Sequence, residues 1–538
     1  MIDSIDPITG SNDINISVTS YTTQQNKLRS YCQSQIHHYQ STRDESPYSN
    51  DPVLRHAWYS HTQHCIVMSD SGRPIWCRFG DENNVNQLCG VILTLYNNTL
   101  HVHDNNQLHY IATDSHLYII LCKQSILIVS IVQCNNVSQL PIHMYDTQLN
   151  MIYKSLIFVL TKSVHTILSQ QPNYDIRQLI NGTEMLLWNM CNRVMLHEEE
   201  EVVKLSLQHI NEPSYDILTN SIQSLYIPIE LRQNIAVAMK SGLKQSYVHD
   251  NNSNDINNIR STSSTTLIYA ILSQPSINRI VHVIRSKHTT LYPTDITLLL
   301  NFLNTNPSFY TVESWLPICL PSYNNSTYLH VYVCYITSDL CLSILSTDST
   351  QFNILRCSKQ SIVTQLNQLH CIEQLNTYIH QPCIDINIIQ QYIQSNEPST
   401  NMQRSRFSGL FSAIPFISDT ILSINDTTKH TTATDNRYVQ LYHMLYRSTQ
   451  HNQCISTQPI IPFTSMSAQQ LLYKLYSECN QHRTTYWHTT QQCNILYLYD
   501  SSYQCWVTVS PFDSYQHTIH TAIKAIQWVQ QNNNNLFM

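Results

Sequence analysis

Glycine is scarce in this chain, which has seven glycines among its 538 residues. At an average usage of about 7%, a chain of this length would carry roughly 38. A P-loop and a dinucleotide-binding turn both require glycines at fixed spacings, and neither spacing occurs, which excludes both motifs. Three of the seven, Gly72, Gly80 and Gly90, lie within residues 58–96. Each is expected at a positive φ or at a close backbone contact.

Charge is scarce as well, because Asp, Glu, Lys and Arg together make up 12% of the residues, about half of the usual share. The formal net charge is −7, so the chain lacks the basic character that nucleic-acid binding requires. Neither a His-Glu-x-x-His zinc helix nor a Gly-x-Ser-x-Gly nucleophile elbow occurs. The pairs His61/His64 and His101/His103 lack the further ligands of a zinc site. We therefore expect no metal, no cofactor and no covalent catalysis, with an unrecognised Cys/His hydrolase as an open alternative.

Cysteine is abundant, but its pattern does not indicate a disulfide framework. The 17 cysteines are odd in number and form no Cys-x-x-Cys pair. Residues 1–6 lack the apolar core of a signal peptide. The longest apolar stretch, residues 117–132, is interrupted at Lys123 and divides into two strand-length pieces. These features predict reduced, mostly buried thiols in a cytoplasmic protein without a membrane span.

Residues 58–96 contain the clearest local pattern. Residues 65–68 form an apolar run of strand length, and residues 69–72 have turn composition. Residues 75–79 alternate between apolar and other side chains, as a half-buried strand does. Gly80 ends this strand, so the stretch predicts a two-stranded hairpin.

The hairpin is followed by a predicted helix that begins near Asp81 or Asn83, either of which can act as its N-cap. Most of its apolar residues form one stripe at helical spacing: Val85, Leu88, Cys89, Ile92 and Leu95. Val91 and Leu93 lie off the stripe, so the helix is apolar nearly all round. Such a helix needs a second covered face, either within its own domain or against a partner.

One order of strands and helices repeats three times along the chain, which predicts three copies of one small α/β unit. We expect these segments: a disordered N-terminal tail over 1–53, a first domain over 54–197, a helical and polar connector over 198–262, a second domain over 263–398, and a third domain over 403–538. Among single elements, we expect one long helix over 145–169, a strand over 407–414 and a helix over 437–446.

Several ordered motifs resemble one known family. They are Trp58-x-x-His61-x-x-His64, Ser69-x-x-Gly72-x-Pro74-Ile75, Arg78-x-Gly80, the segment Asn173–Glu184, and the segment Glu313–Pro321 followed by Leu329-His330. Together they closely resemble the Mon-one (SAND) family of vacuolar fusion proteins, from residue 55 to the end. The chain departs from the family at Arg404-Ser405-Arg406, where the family has Lys-Ser-Lys, and this weakens the expectation of basic membrane contacts.

The resemblance implies an α/β (α+β) fold of three longin-like domains, each a five-stranded, mostly antiparallel sheet flanked by helices. It implies a heterodimer with a Ccz-one-type longin partner, which acts as a guanine nucleotide exchange factor for a Rab-seven-type GTPase in endosome maturation and vacuole or lysosome fusion. It also implies peripheral recruitment to late endosome or vacuole membranes through anionic phosphoinositides. Nucleotide exchange makes no covalent bond, which agrees with the missing catalytic motifs.

The hairpin and the helix that follows it are the expected surface for the GTPase or the partner. The candidate contact residues are Gly72, Arg73, Pro74, Trp76, Arg78, Val85, Leu88, Val91, Ile92 and Leu95. The alternative function is a longin-type trafficking scaffold or adaptor without exchange activity.

Overall fold

The computed structural model describes most of the chain in two compact units, residues 1–380 and residues 381–538. The described residues are 29–30, 32–102, 107–134, 140–172, 174–194, 214–249, 266–286, 289–380, 383–395, 439–460, 462–482 and 484–538. All seventeen cysteines fall in these ranges as free thiols, most of them buried.

The first module of unit 1, residues 32–194, is built on an antiparallel sheet with the strand order β2–β1–β5–β4–β3. Its strands are β1 (Gln63–Ser69), β2 (Pro74–Cys77), β3 (Tyr110–Ala112), β4 (His116–Lys123) and β5 (Ile126–Gln133). Every residue of β1 is buried, because helices cover both faces of the sheet. Helix α3 (Asn86–Val102) packs on one face, and α4 (Ile142–Leu160) contacts β4 and β5.

The N-terminal segment packs against this module through two helices, α1 over residues 32–41 and α2 (Pro52–Ser60). The ring of Tyr39 lies edge-on to that of Trp188, with centroids 5.2 Å apart. Between the two helices, the Thr42 carbonyl accepts a hydrogen bond from the backbone N–H of Gly80 at 3.0 Å. The prediction of a disordered tail is therefore wrong for residues 32–53, while residues 1–28 lie outside the described residues.

The region expected to form one long helix contains two helices, α4 and α5 (Ser163–Gln170). The break falls at Thr161, whose φ is 60°, a backbone conformation that an α-helix does not contain. Two short helices follow, α6 (Arg177–Ile180) and α7 (Glu184–Val194). Within the described residues no single helix has the length and apolarity to cross a membrane. The α4–α5 pair meets both requirements only when taken together, and it is bent by 86°.

The second module of unit 1, residues 214–380, contains strands in the order β6–β8–β7–β11–β10–β9. The strands are β6 (Ile222–Ser224), β7 (Leu267–Gln274), β8 (Arg279–Arg285), β9 (Ser314–Leu320), β10 (Asn324–Tyr335) and β11 (Cys341–Ser346). The helices are α8 (Tyr215–Thr219), α9 (Ile229–His249), α10 (Pro293–Thr305), α11 (Phe352–Gln368) and α12 (Cys371–Ile379). All neighbouring strands are antiparallel except β6 and β8, which are parallel.

Helix α9 contributes to the core of this module, although the sequence places it in the connector over 198–262. Its Leu231, Ile235 and Met239 are buried in the same cluster as Ile362 of α11. At Gly242, a Cβ would lie 2.5 Å from Cγ1 of Ile362 and 2.8 Å from its backbone nitrogen. The prediction of a separate connector is therefore wrong for β6 and α9, and glycine at this position permits the close helix contact.

Unit 2 contains five antiparallel strands that neighbour one another in the order β14–β15–β16–β12–β13. Its elements are α13 (Ile386–Ser395), β12 (Leu441–Ser448), β13 (Gln453–Ser456), α14 (Met466–Cys479), β14 (Tyr486–Thr489), β15 (Asn494–Tyr499), β16 (Tyr503–Val509), α15 (Tyr515–Gln531) and α16 (Asn533–Leu536). The helix predicted over 437–446 is wrong, since β12 occupies most of that range. The strand predicted over 407–414 lies outside the described residues.

Candidate functional site

The hairpin of β1 and β2 ends in a tight turn that rests on helix α3. The backbone N–H of Ser69 donates to the Arg73 carbonyl at 2.9 Å, and the N–H of Gly72 donates to the Ser69 carbonyl at 2.9 Å. Gly72 has a φ of +82°, and a Cβ on it would lie 3.0 Å from Cδ2 of Leu93. Glycine is needed here both for the conformation and for the approach to the helix.

An ion-pair cluster ties the tip of the hairpin to the loop before α6. Asp175 accepts from Arg73 at 2.9 Å and from Arg177 at 2.7 Å. The hydrogen bond from Arg177 is the main reason why the pKa of Asp175 falls to about 2. Arg177 also donates to the side-chain oxygen of Asn83 at 3.1 Å. The Asp175–Arg177 segment therefore fixes the hairpin relative to the start of α3.

Several predicted contact residues lie in the interior, where their side chains pack beneath the hairpin and helix α3. The buried predicted residues are Pro74, Trp76, Arg78, Val85 and Ile92. The guanidinium of Arg78 donates to the Gln63 carbonyl at 3.2 Å and to the Asn192 side chain at 2.9 Å. It also lies over the Trp188 ring, 5.7 Å from the centroid. These residues position the hairpin and helix, and they do not lie on the surface of the described chain.

The other predicted contact residues lie at or near the surface. Gly72 and Arg73 are half-buried at the turn. Leu88 is half-buried on α3, whereas Val91 and Leu95 are 56% and 46% exposed. Their spacing of three and four residues places these three on one outer face. We call Leu88, Val91 and Leu95 the α3 strip.

The buried face of α3 is rotated about the helix axis relative to the stripe predicted from the sequence. Val85, Cys89, Ile92 and Tyr96 are the residues that pack in the core with the sheet. Leu95, the last residue of the predicted stripe and a predicted contact residue, is not on this buried face, because it lies one residue and about 100° away from Tyr96. Tyr96 is a core residue that the predicted stripe leaves out. Its position seven residues after Cys89, which is about two helical turns, is the sequence signal that identifies it.

Comparisons with known proteins identify the longin domains directly. Residues 63–190 match the family model described as the first longin domain of FUZ, MON1 and HPS1, and residues 265–364 match the second longin domain of the same proteins. The chain is 22% identical over 507 residues to vacuolar fusion protein MON1 homolog A of Gallus gallus, which covers 93% of this chain and 76% of the relative. Protein SAND of Takifugu rubripes is 22% identical over 505 residues, covering 93% and 81%. The MON1 homolog of Oryza sativa subsp. japonica is 24% identical over 498 residues, covering 90% and 76%.

The chain carries the two longin domains described for FUZ, MON1 and HPS1, and it is similar to MON1/SAND proteins over at least 90% of its length. This confirms the predicted resemblance to the Mon-one (SAND) family and the predicted fold class, longin domains with antiparallel sheets flanked by helices. The relatives are named as vacuolar fusion proteins, which supports a role for this chain in vacuolar fusion and membrane trafficking. The first longin match begins at Gln63, the first residue of β1, so α1 and α2 pack on the domain from outside the matched range.

The histidines of the opening motif, His61 and His64, have packing partners in this chain. Nε2 of His61 lies 2.6 Å from the Glu45 carboxylate, and its ring stacks on Phe79 with centroids 3.5 Å apart. His64 stacks on Trp58 at 3.7 Å, and burial lowers its pKa well below the usual value. Across the described part of the chain, no group of three or more His, Cys, Asp or Glu side chains is arranged to hold a metal ion.

Proposed function

We propose that this chain is one subunit of a heterodimeric guanine nucleotide exchange factor for a Rab-seven-type GTPase. The other subunit is a Ccz-one-type longin protein, and the pair acts in endosome maturation and in vacuole or lysosome fusion. The similarity to MON1/SAND proteins and the longin domains support the trafficking role. The observation that carries the surface assignment is the α3 strip, where Val91 and Leu95 expose about half of their area on a helix whose inner face lies in the core.

Burial of the α3 strip by another protein would contribute to the free energy of binding. Full burial of a Val or Leu side chain contributes about 1.5–3 kcal/mol. Because Val91 and Leu95 are each about half exposed, covering them would contribute about 1 kcal/mol apiece. Two such residues change a binding constant by roughly thirtyfold, since 1.4 kcal/mol corresponds to a factor of ten.

Exchange by this surface requires no reacting group on the chain. A factor that binds the nucleotide-free GTPase more tightly than the loaded form shifts the population toward release. The buried Trp76 and Arg78 would act indirectly, because they fix the hairpin beside the strip. Gly72 and Arg73 complete the proposed contact at the turn.

The proposed architecture has three longin domains: the first at 54–197, and, in place of the predicted 263–398 and 403–538, a second that includes β6 and α9 and ends by residue 380 and a third within unit 2 that begins with α13. The five strands of unit 2 and its flanking helices support the third assignment. Recruitment to the late endosome or vacuole membrane is peripheral and involves anionic phosphoinositides. Because the chain has a net charge of −7, this recruitment requires a local basic patch or an upstream protein.

The test is a nucleotide-release assay on the reconstituted pair. The chain is co-expressed with a Ccz-one-type partner and purified, and release of fluorescent GDP from a Rab-seven-type GTPase is followed in the presence of excess unlabelled nucleotide. The proposal expects faster release with the pair than with either subunit alone. A stable pair that binds the GTPase but leaves release unchanged would instead support the adaptor function.

A further inference from the structure

A small cavity opens at the end of the first sheet, next to helix α3. It is lined mainly by aromatic side chains, and its volume is about 90 Å³. Sites for small molecules typically measure about 300–1,000 Å³, so this cavity suits a single side chain. We call it the tyrosine pocket, and the lining residues that matter are Tyr48, Trp58, Tyr59, Leu88, His116 and Tyr118.

The tyrosine pocket is held in place by contacts behind its lining. Trp58 is buried and stacks on His64, with ring centroids 3.7 Å apart. The backbone carbonyl of Tyr59 accepts a hydrogen bond from the side chain of Gln133 at 2.8 Å, which ties the end of α2 to β5. The pocket is therefore built from two helices, the sheet and the connection between α1 and α2, which contributes Pro47 and Tyr48.

The lining of the pocket carries no Asp, Glu, Lys or Arg. Burial keeps the lining residue His64 neutral by lowering its pKa. A phosphate or an anionic lipid headgroup needs cationic donors, so the pocket does not suit either. A free ammonium group would find aromatic faces there, but no carboxylate lines the pocket to pair with it.

The polar groups that line the pocket include three tyrosine hydroxyls, each of which can donate one hydrogen bond. Tyr48 and Tyr59 are 47% and 50% exposed, and neither their hydroxyls nor that of Tyr118 has a hydrogen-bond partner among the described residues. Burial raises the pKa of Tyr48 and Tyr118, and Tyr59 adds to both shifts, so these hydroxyls remain protonated at neutral pH.

A neutral aromatic pocket with spare donors complements a chain segment that is apolar and rich in acceptors. A proline-rich segment in the polyproline II conformation has these properties, because proline has no backbone N–H and the carbonyls point outward unpaired. Its rings pack against aromatic faces, and hydroxyl groups donate to its carbonyls. We propose that the tyrosine pocket binds a proline-rich, extended segment of a partner protein.

The position of the pocket makes it an extension of the α3 strip. Leu88 lines the pocket and is also the first residue of the strip, whose next members are Val91 and Leu95. A partner that covers the strip could place such a segment in the pocket. The inference does not depend on exchange activity, because binding to the pocket can be measured on this chain alone.

The experiment is a binding titration of the full-length chain with a fluorescein-labelled decaproline peptide, followed by fluorescence anisotropy. Binding should be saturable with decaproline and absent with a labelled Gly/Ser decamer, which has no polyproline II preference. Tyr48→Ala and Tyr59→Ala should each weaken binding at least fivefold. The matched control is Tyr110→Ala, which removes a half-exposed tyrosine on β3 of the same sheet, outside the pocket, and should leave binding unchanged.

Hydroxyl donation is tested separately with Tyr48→Phe and Tyr59→Phe, which keep the aromatic face. The Phe variants should weaken binding by a smaller factor than the Ala variants. The proposal is overturned if decaproline does not bind, or if Tyr110→Ala weakens binding as much as the pocket variants do. It is also overturned if calorimetry detects tetramethylammonium binding that Tyr48→Ala abolishes while decaproline does not bind, since the pocket would then be a cation cage.

Discussion

Replacing Gly80 by alanine should destabilise the junction between the N-terminal segment and the hairpin. Gly80 has a φ of +78°, and a Cβ on it would lie 2.5 Å from the carbonyl oxygen of Glu45. A non-glycine residue in the left-handed region costs about 1–2 kcal/mol, and an additional methyl group in a packed site costs about 1–3 kcal/mol. Because the two penalties have different causes, Gly80→Ala should lower the free energy of unfolding by about 2–5 kcal/mol.

Three other glycines separate the two penalties. Gly182 has a φ of +84° with nothing within 4 Å of a Cβ, so Gly182→Ala should show only the conformational cost. Gly242 lies inside α9 and faces Ile362 of α11, so Gly242→Ala should show the steric cost without the left-handed backbone cost, reduced by the about 0.5–1 kcal/mol that alanine gains within a helix. Gly90, inside α3, has nothing within 4 Å, and Gly90→Ala should stabilise the chain by about 0.5–1 kcal/mol.

Thermal unfolding followed by circular dichroism can rank the four variants. A change of 1 kcal/mol shifts the Tm of a domain of this size by about 2–4 °C. We expect Gly80→Ala to unfold at the lowest temperature and Gly90→Ala at the highest, above the wild type. A Gly80→Ala variant that melts with the wild type would refute the reasoning, and so would a Gly90→Ala variant that melts as low as Gly80→Ala.

Two further predictions concern charge and thiol reactivity. The hydrogen bond from Arg177 holds the pKa of Asp175 at about 2. The ionised Asp175 carboxylate therefore stabilises the folded state fully above its unfolded pKa of about 4, and this stabilisation is lost as the pH falls through about 2. The difference in urea midpoint between the wild type and Asp175→Asn should therefore shrink between about pH 6 and about pH 3, and a constant difference would contradict the ion-pair assignment. Cys357 is the exposed thiol among the seventeen, so mass spectrometry should find it labelled first by a bulky maleimide under native conditions, and earlier labelling of the buried Cys65 would contradict the packing.

Local sequence patterns were sufficient to predict the hairpin and its turn. The turn composition of residues 69–72 and the rarity of glycine both pointed to a positive φ at Gly72, and the structure has one. The exposed face of α3 was harder to predict than the hairpin. A helix that is apolar nearly all round has no single apolar stripe that identifies its buried face. The predicted stripe consequently includes the exposed Leu95 and leaves out the buried Tyr96, an amphipathic residue.

The remaining errors arise where tertiary contacts determine the structure. The strand β12 is paired on both edges and mostly buried, so its apolar run cannot be distinguished from a buried helix by periodicity. Helix α1 has few apolar residues, and its burial depends on partners such as Trp188 that lie far away in sequence. The positive φ at Thr161 ends α4 at a residue type that gives no such signal.

The most direct test of the central claim compares nucleotide release by the wild-type pair and by a pair carrying Val91→Asp and Leu95→Asp. The control is Val237→Asp, which places one such charge, against two in the double variant, on an exposed valine of α9. If the α3 strip is the contact surface, the double variant should slow the accelerated release of GDP by at least roughly tenfold, the equivalent of 1.4 kcal/mol, while the control matches the wild type. Equal acceleration by the double variant and the wild-type pair would contradict the account.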